Sequence, residues 1–94
     1  MVGERRVALI TGASGGVGGA VAAELARKGY ALSLLYRSNT AACEAAAGSA
    51  QQAGADTLLL RTDLTDHDSV EAAVTKTVEH FGAIDVLAHC AGAY

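Results

Sequence analysis

Apolar and polar positions fall into blocks along this chain, and the period of the pattern switches from block to block. Arg5 to Thr11 holds the uninterrupted run Val7-Ala8-Leu9-Ile10, the signature of a strand buried on both faces. From Gly16 to Lys28 the period lengthens. Val17, Val21 and Leu25 recur every fourth residue with Glu24, Arg27 and Lys28 on other faces, which predicts an amphipathic helix closed by Gly29. Ala31 to Tyr36 is again short and nearly all apolar, a second strand. Thr40 to Ala53 is alanine-rich and helix-prone despite Gly48 and Ser49, and Gly54 stops it. Thr57 to Thr62 predicts a third strand. Thr65 or Asp66 can cap a further helix in which Val70, Ala73, Val74, Val78 and Phe81 make one apolar stripe. Gly82 closes it, and Ile84 to Ala88 predicts a fourth strand.

The order βαβαβαβ with short connections predicts an α/β fold: a parallel sheet, right-handed crossovers and helices on both faces. The 94 residues are read as part of a single domain, 1–94, with no linker, no repeat and no proline. A chain of this length buries roughly 60–65% of its extended surface. Much of its 51% hydrophobic content is alanine, so the core is modest.

The net charge of −3, without a basic cluster, argues against nucleic acid and anionic membranes as partners. No apolar run approaches the roughly 18–20 residues of a membrane span. Met1 to Arg6 is charged and runs straight into a strand without a signal-peptide core, so a cytoplasmic location is expected. Cys43 and Cys90, far apart and outside any CxxC pair, then read as free thiols. His67, His80 and His89 lack metal-like spacing, and no metal site is expected.

The chemistry concentrates at Thr11-Gly12-Ala13-Ser14-Gly15-Gly16-Val17-Gly18, on the first strand-to-helix turn. Glycine there accepts positive φ and lets a backbone lie against a phosphate, while the helix start aims free N–H groups and its positive dipole end at the same point. A P-loop would need Lys-Ser or Lys-Thr after the last glycine, and Gly19-Ala20 follows. Gly12-Ala13-Ser14-Gly15-Gly16 also matches the G-x-S-x-G of a nucleophile elbow. An elbow, however, needs an earlier loop for half of its oxyanion hole and a separate acid before its histidine. Only eleven residues precede Gly12, and Asp85 and His89 share one strand. The strict G-x-G-x-x-G dinucleotide fingerprint is not met either. The spacing present is T-G-x-x-x-G-x-G.

Thr11-Gly12 through Gly16-Val17-Gly18 resembles the cofactor loop of the short-chain dehydrogenase/reductase family. Two further landmarks stand in the same order as in that family. Asp63-Leu64 after the third strand resembles its adenine-binding aspartate, and His89-Cys90-Ala91-Gly92 resembles its Asn-Asn-Ala-Gly motif. The resemblance spans essentially the whole chain. It implies a Rossmann-like doubly wound sheet of strand order 3-2-1-4, incomplete after four strands. Most similar are the ketoacyl-reductase-type members, so the implied reaction is reversible reduction of a ketone to an alcohol.

The resemblance places Gly12, Ser14, Gly15, Gly16, Val17 and Gly18 around the pyrophosphate and the adenosine-side ribose, with Thr11 tying the loop to the sheet. It places Asp63 and the Leu64 N–H at the adenine ring. Ala91 and Gly92 would keep backbone contacts, whereas His89 and Cys90 depart from the two asparagines and put those side-chain contacts in doubt. Cofactor choice follows from the end of the second strand. Tyr36-Arg37-Ser38-Asn39 lacks the acid that binds an NAD ribose, while Arg37 and Ser38 suit a 2′-phosphate. NADP(H) is therefore expected over NAD(H).

The family's catalytic Ser and Tyr-x-x-x-Lys have no counterpart here. Leu34 follows Tyr30 by four residues, Thr40 so follows Tyr36, and Tyr94 is the last residue. No catalytic residue is assigned, and the purified chain is expected to show no NADPH-dependent carbonyl reduction. A fourth strand without a further neighbour is also expected to leave an apolar edge through which the chain self-associates. The competing reading is a non-catalytic nucleotide-binding or interaction module.

Overall fold

The computed structural model describes residues 5–90. Within them the elements run β1 (Val7–Thr11), α1 (Gly16–Arg27), β2 (Ala31–Tyr36), α2 (Thr40–Gln52), β3 (Thr57–Arg61), α3 (His67–Phe81) and β4 (Val86–His89). All pairings are parallel and the strand order is β3-β2-β1-β4, as expected. Every residue of β1, and all of β2 except Tyr36, is buried, which accounts for the absence of polar alternation in those two runs. β3 and β4 end the described sheet and are correspondingly more open, with Leu87 of β4 64% exposed.

Helices cover both faces. Ala22 and Ala26 of α1 and Cys43, Ala47 and Ala50 of α2 pack with Ala8, Ile10, Leu32 and Leu34 in the larger core cluster. Ala73 of α3 packs with Leu9 and Leu35 on the opposite face. Three of the helix ends have a clear local cause. The Asn39 side chain accepts from the Ala42 N–H at the start of α2, and Asp66, one of the two expected caps, accepts from the Asp68 N–H at the start of α3. Gly82, at φ 94°, terminates α3 in the left-handed region.

The helical stripes differ from expectation. On α1 the residues against the sheet are Gly18, Ala22 and Ala26, one position on from the expected Val17, Val21 and Leu25. Val21 and Leu25 flank the core, and Val17 is 69% exposed. The cause is distance. A Cβ on Gly18 would stand 2.1 Å from the Gly12 carbonyl oxygen, so only the smallest residues fit along the line of contact. On α3 the buried positions are Ala73 and Thr77, and Val74 and Val78 are exposed. Thr77 is tolerated in the core because its hydroxyl donates to the Ala73 carbonyl (2.8 Å) and pairs with Ser33 Oγ (2.7 Å).

Two neighbouring glycines of α1 make the spacing constraint measurable. Gly18→Ala should destabilise the fold by about 2 kcal/mol or more through overpacking against backbone. A Cβ on Gly19 meets nothing within 4 Å, so Gly19→Ala should be neutral or stabilising by up to about 1 kcal/mol. Thermal or urea unfolding of the two variants beside the parent chain reads the difference. Equal effects would show that the close approach is not limiting.

Candidate functional site

The site begins where β1 stops. Gly12 turns with φ 67°, a conformation that disfavours a side chain. Its carbonyl accepts the Gly15 N–H (3.0 Å), closing a tight turn, and the Ala13 N–H donates to the Leu35 carbonyl (3.1 Å), fastening the turn to β2. Gly15 is the N-cap of α1 and no side chain caps that end. Helix geometry leaves the first-turn N–H groups without intrahelical partners, so they and the helix dipole face the turn.

Four segments meet at this end of the sheet around a cleft of about 460 Å³. Gly12 and Ser14 come from the turn after β1, Leu35 to Arg37 from the end of β2, Thr62 to Thr65 from the β3–α3 loop, and His89 from β4. Of the residues expected to bind a ligand, Gly12, Ser14, Arg37, Asp63 and Leu64 are thereby brought together. Gly15, Gly16 and Val17 are exposed at the start of α1, beside the cleft rather than in its lining. Gly18 is buried beneath the turn, where it makes the close packing possible. Ser38 is exposed in the β2–α2 connection and outside the lining. Ala91 and Gly92 lie outside the described residues.

Asp63 is the most engaged polar group. One carboxylate oxygen accepts both the Thr65 N–H (2.9 Å) and the Thr65 hydroxyl (2.6 Å), while the Asp63 N–H donates to Ser69 Oγ (2.9 Å). The two bonds from Thr65, with a smaller contribution from the charge of Arg37, hold its carboxyl below the usual carboxylate range. The residue shapes the turn into α3 and at the same time presents an ionised carboxylate to the cleft.

Thr11 ties β1 to β4 at the rear of the site. Its hydroxyl pairs with His89 Nδ1 (2.8 Å) and accepts the Cys90 N–H (3.1 Å). The bond from Cys90 is made by its backbone, which the thiol side chain leaves intact. Cys43 is inert by contrast, since burial pushes its thiol up to about 11. Of two further members of the cleft region, His89 belongs to the landmark read from sequence and Arg61 is not evident from it. His89 faces the cleft as well as bracing Thr11. Arg61, the last residue of β3, donates from Nε to the Arg37 carbonyl (3.2 Å). Its sequence signal, an exposed cation paired with Tyr36 across the strands, is legible only once the register is known.

Among the described residues no group of His, Cys, Asp and Glu is arranged to hold a metal ion. No described helix is long and apolar enough to cross a membrane.

A parallel sheet in this order, with a glycine turn leading from its central strand into a helix N-terminus, defines the nucleotide-binding α/β class of Rossmann type. Comparison with known proteins makes the assignment specific. The family model described as short chain dehydrogenase matches residues 6–94. The chain is 35% identical over 85 residues to the 3-oxoacyl-(acyl-carrier-protein) reductase FabG of Staphylococcus aureus, an alignment covering 90% of this chain and 35% of the relative. It superposes with TM-score 0.82 and 42% identity on the alcohol dehydrogenase of the archaeon Thermococcus sibiricus, solved with 5-hydroxy-NADP, over 89% of this chain and 36% of that one. An NAD+-bound xylitol dehydrogenase aligns with TM-score 0.83 and 38% identity, over 87% of this chain and 31% of the other. The chain belongs to the short-chain dehydrogenase family and corresponds to its nucleotide-binding Rossmann region. It spans about a third of the length of these relatives.

The state of Asp63 carries a pH dependence. Its depressed value means that the folded state favours the ionised form, so its contribution to stability is present at neutral pH and is lost as pH falls through that lowered value. Asp63→Ala should therefore lower the melting temperature at about pH 7 and lose most of that effect by about pH 2. A gap between parent and variant that stays constant across the two conditions would refute this.

Proposed function

We propose that this chain is the NADP(H)-binding portion of a short-chain dehydrogenase/reductase whose reaction is the reversible reduction of a ketone to an alcohol. The observation that carries the reading is the single cleft uniting the glycine turn, Arg37 and the Asp63-Leu64 segment. The residues present fit a dinucleotide. The Gly12 turn and the uncapped start of α1 form a cradle free of side-chain bulk for a pyrophosphate, with Ser14 as a hydroxyl partner. The Asp63 carboxylate can accept from an adenine amino group, and the Leu64 N–H lies beside it for the ring. When bound, the nicotinamide supplies hydride chemistry. The cleft residues bind and orient, and none is assigned a proton-transfer role.

The preference for NADP(H) over NAD(H) rests on charge. No acid stands at the end of β2, where one would hold an unmodified ribose and repel a phosphate. Arg37 occupies that exit and lines the cleft, with Ser38 next to it. A guanidinium matches a 2′-phosphate through charge-assisted, bidentate hydrogen bonds.

Titration of the chain with NADPH and NADH, followed by nicotinamide fluorescence, tests both parts. NADPH should bind at least about tenfold more tightly, and Arg37→Gln should remove most of that preference while leaving NADH affinity in place. Equal binding of the two, or tighter NADH, would overturn the assignment of Arg37. Failure to bind either would overturn the cofactor site itself.

A further inference from the structure

Arg61 and Arg37 hold an arrangement that the glycine loop does not explain. The two residues leave adjacent parallel strands at the same end of the sheet, β2 at Tyr36 and β3 at Arg61, which are register partners. Arg61 reaches across and donates from Nε to the Arg37 main-chain carbonyl (3.2 Å), so its guanidinium is fixed beside the β2 exit. Both arginines line a hollow of about 290 Å³ together with Thr62, Asp63 and Ser69, and this hollow shares Arg37, Thr62 and Asp63 with the larger cleft. Among the described residues neither arginine has a carboxylate within salt-bridge distance, whereas Arg5, Arg27 and Lys28 do. Two cations against one acid, Asp63, leave the lining of this hollow with an excess of positive charge that favours an anion.

We infer that Arg61 is a second specificity-determining cation for the 2′-phosphate of the cofactor, acting with Arg37 from the neighbouring strand. The inference rests on the NADP(H) reading above and adds a residue to it. The Nε bond leaves both terminal nitrogens of Arg61 available for phosphate oxygens, and it holds the side chain so that little rotamer freedom is lost on binding. The same bond braces the Arg37 backbone where the chain leaves β2.

The test compares 2′,5′-ADP with 5′-AMP, two ligands that differ only by the 2′-phosphate, by calorimetric titration of the parent chain, Arg61→Gln and Arg61→Lys. The parent should prefer 2′,5′-ADP. Arg61→Gln should weaken 2′,5′-ADP by about tenfold and leave 5′-AMP unchanged, and Arg61→Lys, which keeps the charge but loses the Nε bond, should fall between Arg61→Gln and the parent. The parent preference should also fall with added salt, and fall less steeply in Arg61→Gln. If the parent prefers 2′,5′-ADP but Arg61→Gln leaves the ratio of the two affinities unchanged, Arg61 is a solvated surface charge and the inference is wrong. It is equally wrong if Arg61→Lys loses as much as Arg61→Gln, because charge would then not be the cause. A parent chain that binds both ligands equally would overturn the NADP(H) reading and this inference with it.

Discussion

Helix α1 passes so close to the end of β1 that one added carbon on Gly18 would sit 2.1 Å from a main-chain oxygen of Gly12. Much of the architecture of the site follows from that separation. It requires the chain to leave β1 through a turn that only glycine enters readily, at φ 67° on Gly12. It also brings the first turn of the helix, with its unpaired N–H groups, over the C-terminal end of the sheet. The consequence runs along the helix, since Ala22 and Ala26 continue the same line of contact. Such small residues bury little apolar area, so the burden of stabilisation moves to the strands. β1 is buried throughout, and Leu32 and Leu34 of β2 are fully buried between the helices and the sheet's opposite face.

The legibility of the sequence follows the same division. β1 and β2 announce themselves because burial on both faces removes polar residues from the run, and β2 is found at the expected Ala31–Tyr36. Helix ends are equally plain where a cap has a chemical cause, as at Asp66 and Gly82. The faces of the helices are harder to read. Spacing marks Val17, Val21 and Leu25 as an apolar stripe, but spacing carries no information about interaxial distance, and distance selects Gly18, Ala22 and Ala26 instead. Thr77 escapes an apolar pattern for a different reason: its hydroxyl is satisfied by Ser33, a partner 44 positions away. Of the site, the residues next to a glycine turn or a strand end are readable, whereas Arg61 becomes meaningful only through its pairing with β2.

The rear of the site is held by hydrogen bonds as well as by packing. β4 touches only β1 in the described sheet, with Val86 and Ala88 packed against the core and Leu87 exposed. Two polar fastenings act at its ends. Asp85 accepts the Val7 N–H and returns its own N–H to the Val7 carbonyl, both at 2.8 Å. At the other end Thr11 engages His89 and the Cys90 N–H. The family resemblance puts asparagines at these two positions. Here a histidine ring nitrogen and a backbone amide hold the same seam, which explains how the pattern can change without loosening β1 from β4.

The polarity of the cleft provides the last step. Asp63 and the two arginines line neighbouring hollows that share residues, yet they are not interchangeable charges. Thr65 fixes one oxygen of Asp63 by two hydrogen bonds and so orients the other, which leaves an acceptor suited to a neutral N–H donor. Arg37 after β2 and Arg61 at the end of β3 suit a dianion, with Asp63 the one acid in the same lining. An adenosine carrying a 2′-phosphate has this same division, a donor amino group at one end and a concentrated negative charge at the other. In the proposed reading, selectivity therefore comes from a local charge pattern that the net charge of −3 for the whole chain conceals.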